Sequence, residues 1–110
     1  MKSTRECLER LRSLLIQAGE DFPASLIASA LDGSEVDFDQ FLISNELWGG
    51  PGSIADQAGI GRGGEVHVLT KDIECALIQL GRLQIDAGRT NQRTKMWVET
   101  FEHWRRSGVR

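Results

Sequence analysis

Apolar residues recur at helical spacing along most of this chain, and turn-forming residues punctuate them. Cys7, Leu8, Leu11, Leu14, Leu15 and Ala18 fall on one face, while Arg5, Glu9, Arg10 and Arg12 decorate the other. This spacing predicts a helix over Ser3–Ala18, with Ser3 and Glu6 in a capping-box pattern and Gly19 as its stop. Asp21-Phe22-Pro23 starts a second helix, with Pro23 in the first turn. It runs through Leu31 and ends at Asp32-Gly33. Ser34 opens a third, to about Ile43, with Val36, Phe38, Phe41 and Leu42 apolar and acidic residues at its start, where the helix dipole favours them.

The pattern resumes at Thr70, which reads as the cap of a long helix. Ile73, Ala76, Leu77, Leu80, Leu83 and Ala87 form its buried stripe, and Gly88 ends it. Thr90 or Asn91 opens the last helix, along which Met96, Trp97, Phe101 and Trp104 share one side. Arg105 and Arg106 suit its C-terminal dipole end, and Gly108 closes it. Between these halves, 45–64 reads as irregular, because seven of its residues are glycine. Ser53 to Asp56 can cap a single helical turn within it. Glu65–Leu69 alternates too briefly for more than an extended connector or edge strand. The expectation is an all-α fold: a four to five helix bundle with a long glycine-rich central loop, forming one helical domain over 1–110.

Composition leaves this picture unchanged. At 110 residues, with 40% hydrophobic and 26% charged, the chain is ordinary for a globular domain. It is long enough to bury roughly two thirds of its unfolded surface. Cys7 and Cys75 sit in apolar helical patterns and read as reduced core cysteines. No signal-peptide pattern and no run of roughly 20 apolar residues is present, so a cytoplasmic location away from membranes is expected.

Charge does change the picture. The net value is −3, but Ser13 to Gly61 holds no Lys or Arg and carries Glu20, Asp21, Asp32, Glu35, Asp37, Asp39, Glu46 and Asp56. The last third leans basic, through Arg82, Arg89, Arg93, Lys95, Arg105, Arg106 and Arg110. Two arrangements follow: a displayed acidic face that steers a partner, or internal pairing between the acidic middle and the basic end.

Several familiar chemistries fail on register or context. Asp32 to Phe41 resembles the end of a calcium-binding EF-hand loop. With Val36 at the loop's apolar position, however, Ser34 stands where the turn glycine belongs and Gln40 where the bidentate glutamate belongs. Gly59 to Gly64 matches G-x-G-x-x-G without the strand before it and the helix after it that a dinucleotide site needs. His67 and His103 lack metal-ligand spacing with cysteine or carboxylate. Trp97, Phe101 and Trp104 could stack bases, but a helix-spaced aromatic row is more often core, and the acidic balance opposes nucleic acid. The reading has no catalytic residue, no metal and no cofactor.

The most distinctive segment is Leu47 to Asp56. Trp48 is placed to anchor it, Gly49, Gly50 and Gly52 allow close backbone packing, and Pro51 stiffens the turn. Ser53 with Asp56 would cap the turn that follows. Trp48, Gly49, Gly50, Gly52, Ser53 and Asp56 together resemble the aromatic-Gly-Gly-x-Gly-Ser-x-x-Asp stretch of a family of small bacterial helical domains. The resemblance covers about half the chain and implies a helical fold, immunity-like in character, more than a mechanism. The functional expectation is a protein-binding inhibitor, such as an immunity protein that neutralises a basic bacterial toxin. Asp32, Glu35, Asp37, Asp39, Glu46 and Asp56 are its contact residues. The alternative is a helical module or small enzyme that binds an anion at the Trp48 to Asp56 loop, through Ser53 and nearby backbone N–H groups. Neither nucleic acid nor membrane is expected as a partner; a homodimer is compatible with a short bundle.

Overall fold

A computed structural model of the chain describes residues 3–50, 52–60 and 69–107, with the backbone alone at 58–60. Seven helical segments occupy the described residues: α1 (Thr4–Gln17), α2 (Asp21–Asp32), α3 (Glu35–Leu42), α4 (Asn45–Trp48), α5 (Ile54–Ile60), α6 (Thr70–Asp86) and α7 (Thr94–Ser107). The all-α class therefore holds, and no strand occurs among the described residues.

The helix starts follow local chemistry. Ser3 Oγ accepts from the Glu6 N–H at 3.1 Å and opens α1. Ser34 and Asp37 form a full capping box on α3: Ser34 Oγ accepts from the Asp37 N–H at 3.1 Å, and Asp37 Oδ2 accepts from the Ser34 N–H at 3.4 Å. Asn91 Oδ1 accepts from the Thr94 N–H at 3.0 Å while Thr94 Oγ1 accepts from the Asn91 N–H at 3.1 Å, so Asn91 opens the last helix. Gly19 and Gly88 end α1 and α6 at φ of 79° and 70°, a left-handed conformation that other residues adopt only with strain.

Five expectations need correction. The irregular centre holds two short helices among the described residues, so the helix number exceeds five: the turn expected at Ser53–Asp56 is the start of the longer α5, and α4 is an addition. Ser44 Oγ accepts from the Leu47 N–H to start α4, and Ser53 Oγ accepts from the Asp56 N–H to start α5. Two serine caps thus outweigh the glycine content there. Thr70 lies inside α6, buried, and the cap position is Leu69, which makes no side-chain cap hydrogen bond. Val36 and Met96 are exposed because each stands two residues, about 200° of helix, from the buried positions Phe38 and Val98, and Ala87 is exposed because it is the C-cap beyond the end of α6. Cys75 is half-buried on the flank of α6, where its sulfur accepts from Arg105 of α7, while Cys7 is buried; both are free thiols. Trp97 and Trp104 are half-buried against the core, and Phe101 alone of that aromatic row is fully enclosed. The connector expected at 65–68, His67, Pro51, Gly108 and most of the G-x-G-x-x-G stretch lie outside the described residues.

Packing is organised around α1 and α6. Helix α1 lies against both α2 and α6, and α6 also carries α5 and α7. The core runs from Leu8 and Leu11 of α1 through Leu77 and Leu80 of α6 to Val98 and Phe101 of α7. Two residues of α6 decide how closely its neighbours approach. Gly81 faces α7 and α4; a Cβ there would overlap Val98 Cγ2 and sit 3.2 Å from the Trp48 ring. Gln84 is fully buried, and its amide is fully used. Its Oε1 accepts from the Trp48 indole N–H at 2.9 Å, and its Nε2 donates to the carbonyls of Leu42 at 2.7 Å and Arg89 at 2.9 Å. On the surface, Arg82 Nε donates to Glu102 at 3.0 Å, tying α6 to α7. That hydrogen bond, with the carboxylate's charge, raises the guanidinium above its ordinary pKa.

Two stability outcomes follow from these contacts. Gly81→Ala gains helix propensity of about 1 kcal/mol but overpacks the Val98–Trp48 contact, which costs about 1–3 kcal/mol. A lower urea midpoint is expected, whereas a solvent-facing helical glycine would raise it. Gln84→Leu strips this partner from the buried Trp48 N–H and Leu42 carbonyl and from the part-buried Arg89 carbonyl, a loss of about 2 kcal/mol or more at 1–3 kcal/mol per buried group. Equilibrium denaturation of the variant measures it, and a loss under about 1 kcal/mol would show that the amide does not hold these elements together.

Candidate protein-binding surface

Helices α2 and α3 are joined by the tight Gly33-Ser34 turn and leave a groove between them. The groove encloses about 440 Å³. Leu26, Ser29 and Ala30 line it from α2, and Asp37, Gln40 and Phe41 from α3; Ser44 and Glu46 complete it from the start of α4. Ala30 and Phe41 are buried and form an apolar floor, with Leu26 half-buried beside them. The charged residues of the lining, Asp37 and Glu46, are both acidic and both exposed.

The six expected contact residues divide by what the fold asks of them. Asp37 and Glu46 come together in the groove lining. Asp32 is exposed at the C-terminal end of α2. Glu35 is exposed and lies 3.9 Å from Arg5 Nη2, a separation worth little between solvated side chains. Asp39 is held by Arg89, whose Nη1 is 2.8 Å from Oδ1. Asp56 serves its own turn, with Oδ2 accepting from the Gly52 N–H at 3.0 Å. Among the described residues, Asp32, Asp37, Glu46 and Asp56 make no ion pair.

Arg5 marks one boundary of this face. Its Nη1 donates to the Leu31 carbonyl at 3.0 Å, satisfying a carbonyl in the last turn of α2, and its guanidinium lies 4.5 Å from the centre of the Phe38 ring. Arg5 is thus committed to joining α1 to α2 and α3. Arg89 supplies the link to the C-terminal third through Asp39. The dipolar division of the sequence is therefore bridged at Asp39, and no described ion pair joins the acidic carboxylates to α7 itself.

The Trp48 to Asp56 loop is a packed structural unit. Trp48 is fully buried. The Gly49 carbonyl accepts from the Trp97 indole N–H and from Ser53 Oγ, each at 3.1 Å. A Cβ at Gly49 would overlap the backbone of Asn45, so the chain there needs glycine for close approach. The donors of Gly52, Ser53 and Asp56 are engaged within the protein. The Ser53 N–H donates to the Gly50 carbonyl at 3.1 Å, and the Gly52 N–H meets the Asp56 carboxylate. The protein's own carboxylate thus stands where an external anion would bind.

The residues missed in the sequence are Gln84, Gly81, Leu26 and Arg89. Gln84 carried a usable signal, since it continues the Ile73, Leu77, Leu80 stripe at the next helical step, so a polar residue was due in the core. Leu26 and Arg89 carried none, because their roles depend on which helices lie side by side. Among the described residues, no group of three or more His, Cys, Asp or Glu comes together that could hold a metal ion, and no described helix is long and apolar enough to cross a membrane. No protein-family model, no curated protein and no solved structure matches the chain.

Proposed function

We propose that the chain is a protein-binding inhibitor that presents an acidic helical face to a basic protein, in the manner of an immunity protein that neutralises a toxin. The observation that carries this reading is the display of Asp32, Asp37 and Glu46: exposed carboxylates on α2, α3 and α4 with no described cation paired to them. A protein that binds nucleic acid concentrates positive charge where phosphate lies. An acidic face can occupy such a surface as a competitor. Complementary charge then raises the association rate and rejects acidic partners.

The face is mounted firmly enough for this role. The capping box orders the start of α3, and the Gln84 amide fixes its end through the Leu42 carbonyl. Carboxylates held on short, capped helices lose little conformational entropy on binding, which favours affinity. The anion-binding alternative at Ser53 draws no such support, since its donors are already engaged.

The test is direct. A partner is recovered by affinity capture from cells that make the chain natively, and its association rate is compared for the parent and for the Asp32→Lys, Glu46→Lys double variant, which leaves the Ser34–Asp37 capping box in place, at low and moderate salt. The expected result is a basic partner whose association slows about tenfold or more at low salt, the difference shrinking as salt rises. An acidic partner, or a rate indifferent to both substitutions, overturns the reading.

A further inference from the structure

The acidic face has an apolar component that charge steering alone does not require. Phe22 is 73% exposed on the first turn of α2. Leu26 follows one helical turn later and Ala30 one turn after that, so the three lie along one side of α2. The second and third line the α2–α3 groove. An apolar track therefore runs from an exposed phenyl ring to a floor of Ala30 and Phe41, with Asp37 and Glu46 on the lining. Phe22 to Ala30 spans about 12 Å of helix axis, the length of roughly two helical turns.

We propose that this groove receives a cationic amphipathic helix of the partner protein, an inference that rests on the acidic-face reading and specifies what the face binds. The occupant's apolar residues, one turn apart, would lie on Phe22, Leu26 and Phe41, while its flanking Lys or Arg side chains reach Asp37 and Glu46. A helix suits the groove because it presents residues at i and i+4 to an apolar track between two helices. A strand would need a sheet edge to extend, and the described residues contain none. A second copy of this chain is a poor occupant. A two-fold contact through the groove sets Asp37 and Glu46 against their own copies, and the span from Ser13 to Gly61 supplies no Lys or Arg to offset them.

A displayed library of random peptides of about 14 residues, roughly four helical turns, is selected against the intact chain. Enriched peptides are then measured against Phe22→Ser, Leu26→Ser and Glu46→Gln. Phe22→Ser alters a solvent-exposed ring and keeps the test independent of any folding defect in the other variants. The expected peptides carry an apolar pair at i and i+4 flanked by Lys or Arg. Their affinity falls at least tenfold on Phe22→Ser and severalfold on Glu46→Gln. Cationic peptides without the apolar pair, indifferent to Phe22→Ser and Leu26→Ser, overturn the groove and leave the acidic-face reading standing. Apolar peptides indifferent to Glu46→Gln count against both. No enrichment, or a chain that dimerises in sedimentation and loses the dimer on Phe22→Ser, overturns the proposed occupant.

Discussion

The structure depends on the Gln84 amide inside α6. A buried indole N–H must have an acceptor, and Trp48 is fully enclosed, so its placement is possible only where an acceptor waits. Gln84 provides that acceptor and uses its two remaining donors on the carbonyls of Leu42 and Arg89. One side chain therefore joins the end of α3, the last residue of α4 and the turn between α6 and α7. Gly81, nearly one turn earlier, lets the Trp48 ring and Val98 come close to α6. With α4 fixed in this way, Ser44 and Glu46 reach the mouth of the α2–α3 groove. The core amide and the acidic surface are linked through this short helix.

Two tryptophans hold the glycine-rich motif from opposite directions. Trp48 enters the core from it, and Trp97 of α7 donates to its Gly49 carbonyl from outside. Ser53 then donates to the same carbonyl and caps α5. The Gly49 N–H and carbonyl, the Gly50 carbonyl and the Gly52 N–H thus have protein partners, which is the usual requirement for backbone packed under side chains. A motif rich in glycine is often read as mobile or ligand-binding. In this chain Gly49 serves close approach, and the Gly52 and Ser53 donors are taken up by the turn itself.

What was legible in the sequence follows the range of the interactions. Caps are local, so Ser3 with Glu6, Ser34, Gly19 and Gly88 marked bounds of α1, α3 and α6 in advance. The start of α5 was legible in Ser53 and Asp56, whereas α4, a single turn beside three glycines, was not, although Ser44 stood at its cap position. Val36 and Met96 were misplaced because hydrophobic spacing indicates a face and leaves its limits open. The candidate surface was legible as charge and illegible as shape. Asp37 and Asp39 are two residues apart, yet one lines the groove and the other is bound to Arg89 from the far end of α6. That division depends on tertiary contacts which no local pattern encodes.

Helix physics accounts for part of the acidity. Asp21, Glu35, Asp37, Glu46 and Asp56 all stand in the first turns of α2, α3, α4 or α5. Four helix starts in succession draw negative charge to the same region, because each N-terminus favours a carboxylate. The same dipole favours Lys or Arg in last turns, and none of these four helices has a basic residue there. Such a substitution stabilises an exposed helix end by typically 0.3–1 kcal/mol, and the chain forgoes it in all six helices before α7. Helix stability explains the carboxylates that are present and leaves the missing cations unexplained. On the proposed reading, a surface that attracts a cationic partner gains from both within α2 to α5, since any Lys or Arg at these ends would weaken the field around Asp37 and Glu46. The absence of positive charge from Ser13 to Gly61 is therefore a more specific argument for a basic partner than the number of acidic residues.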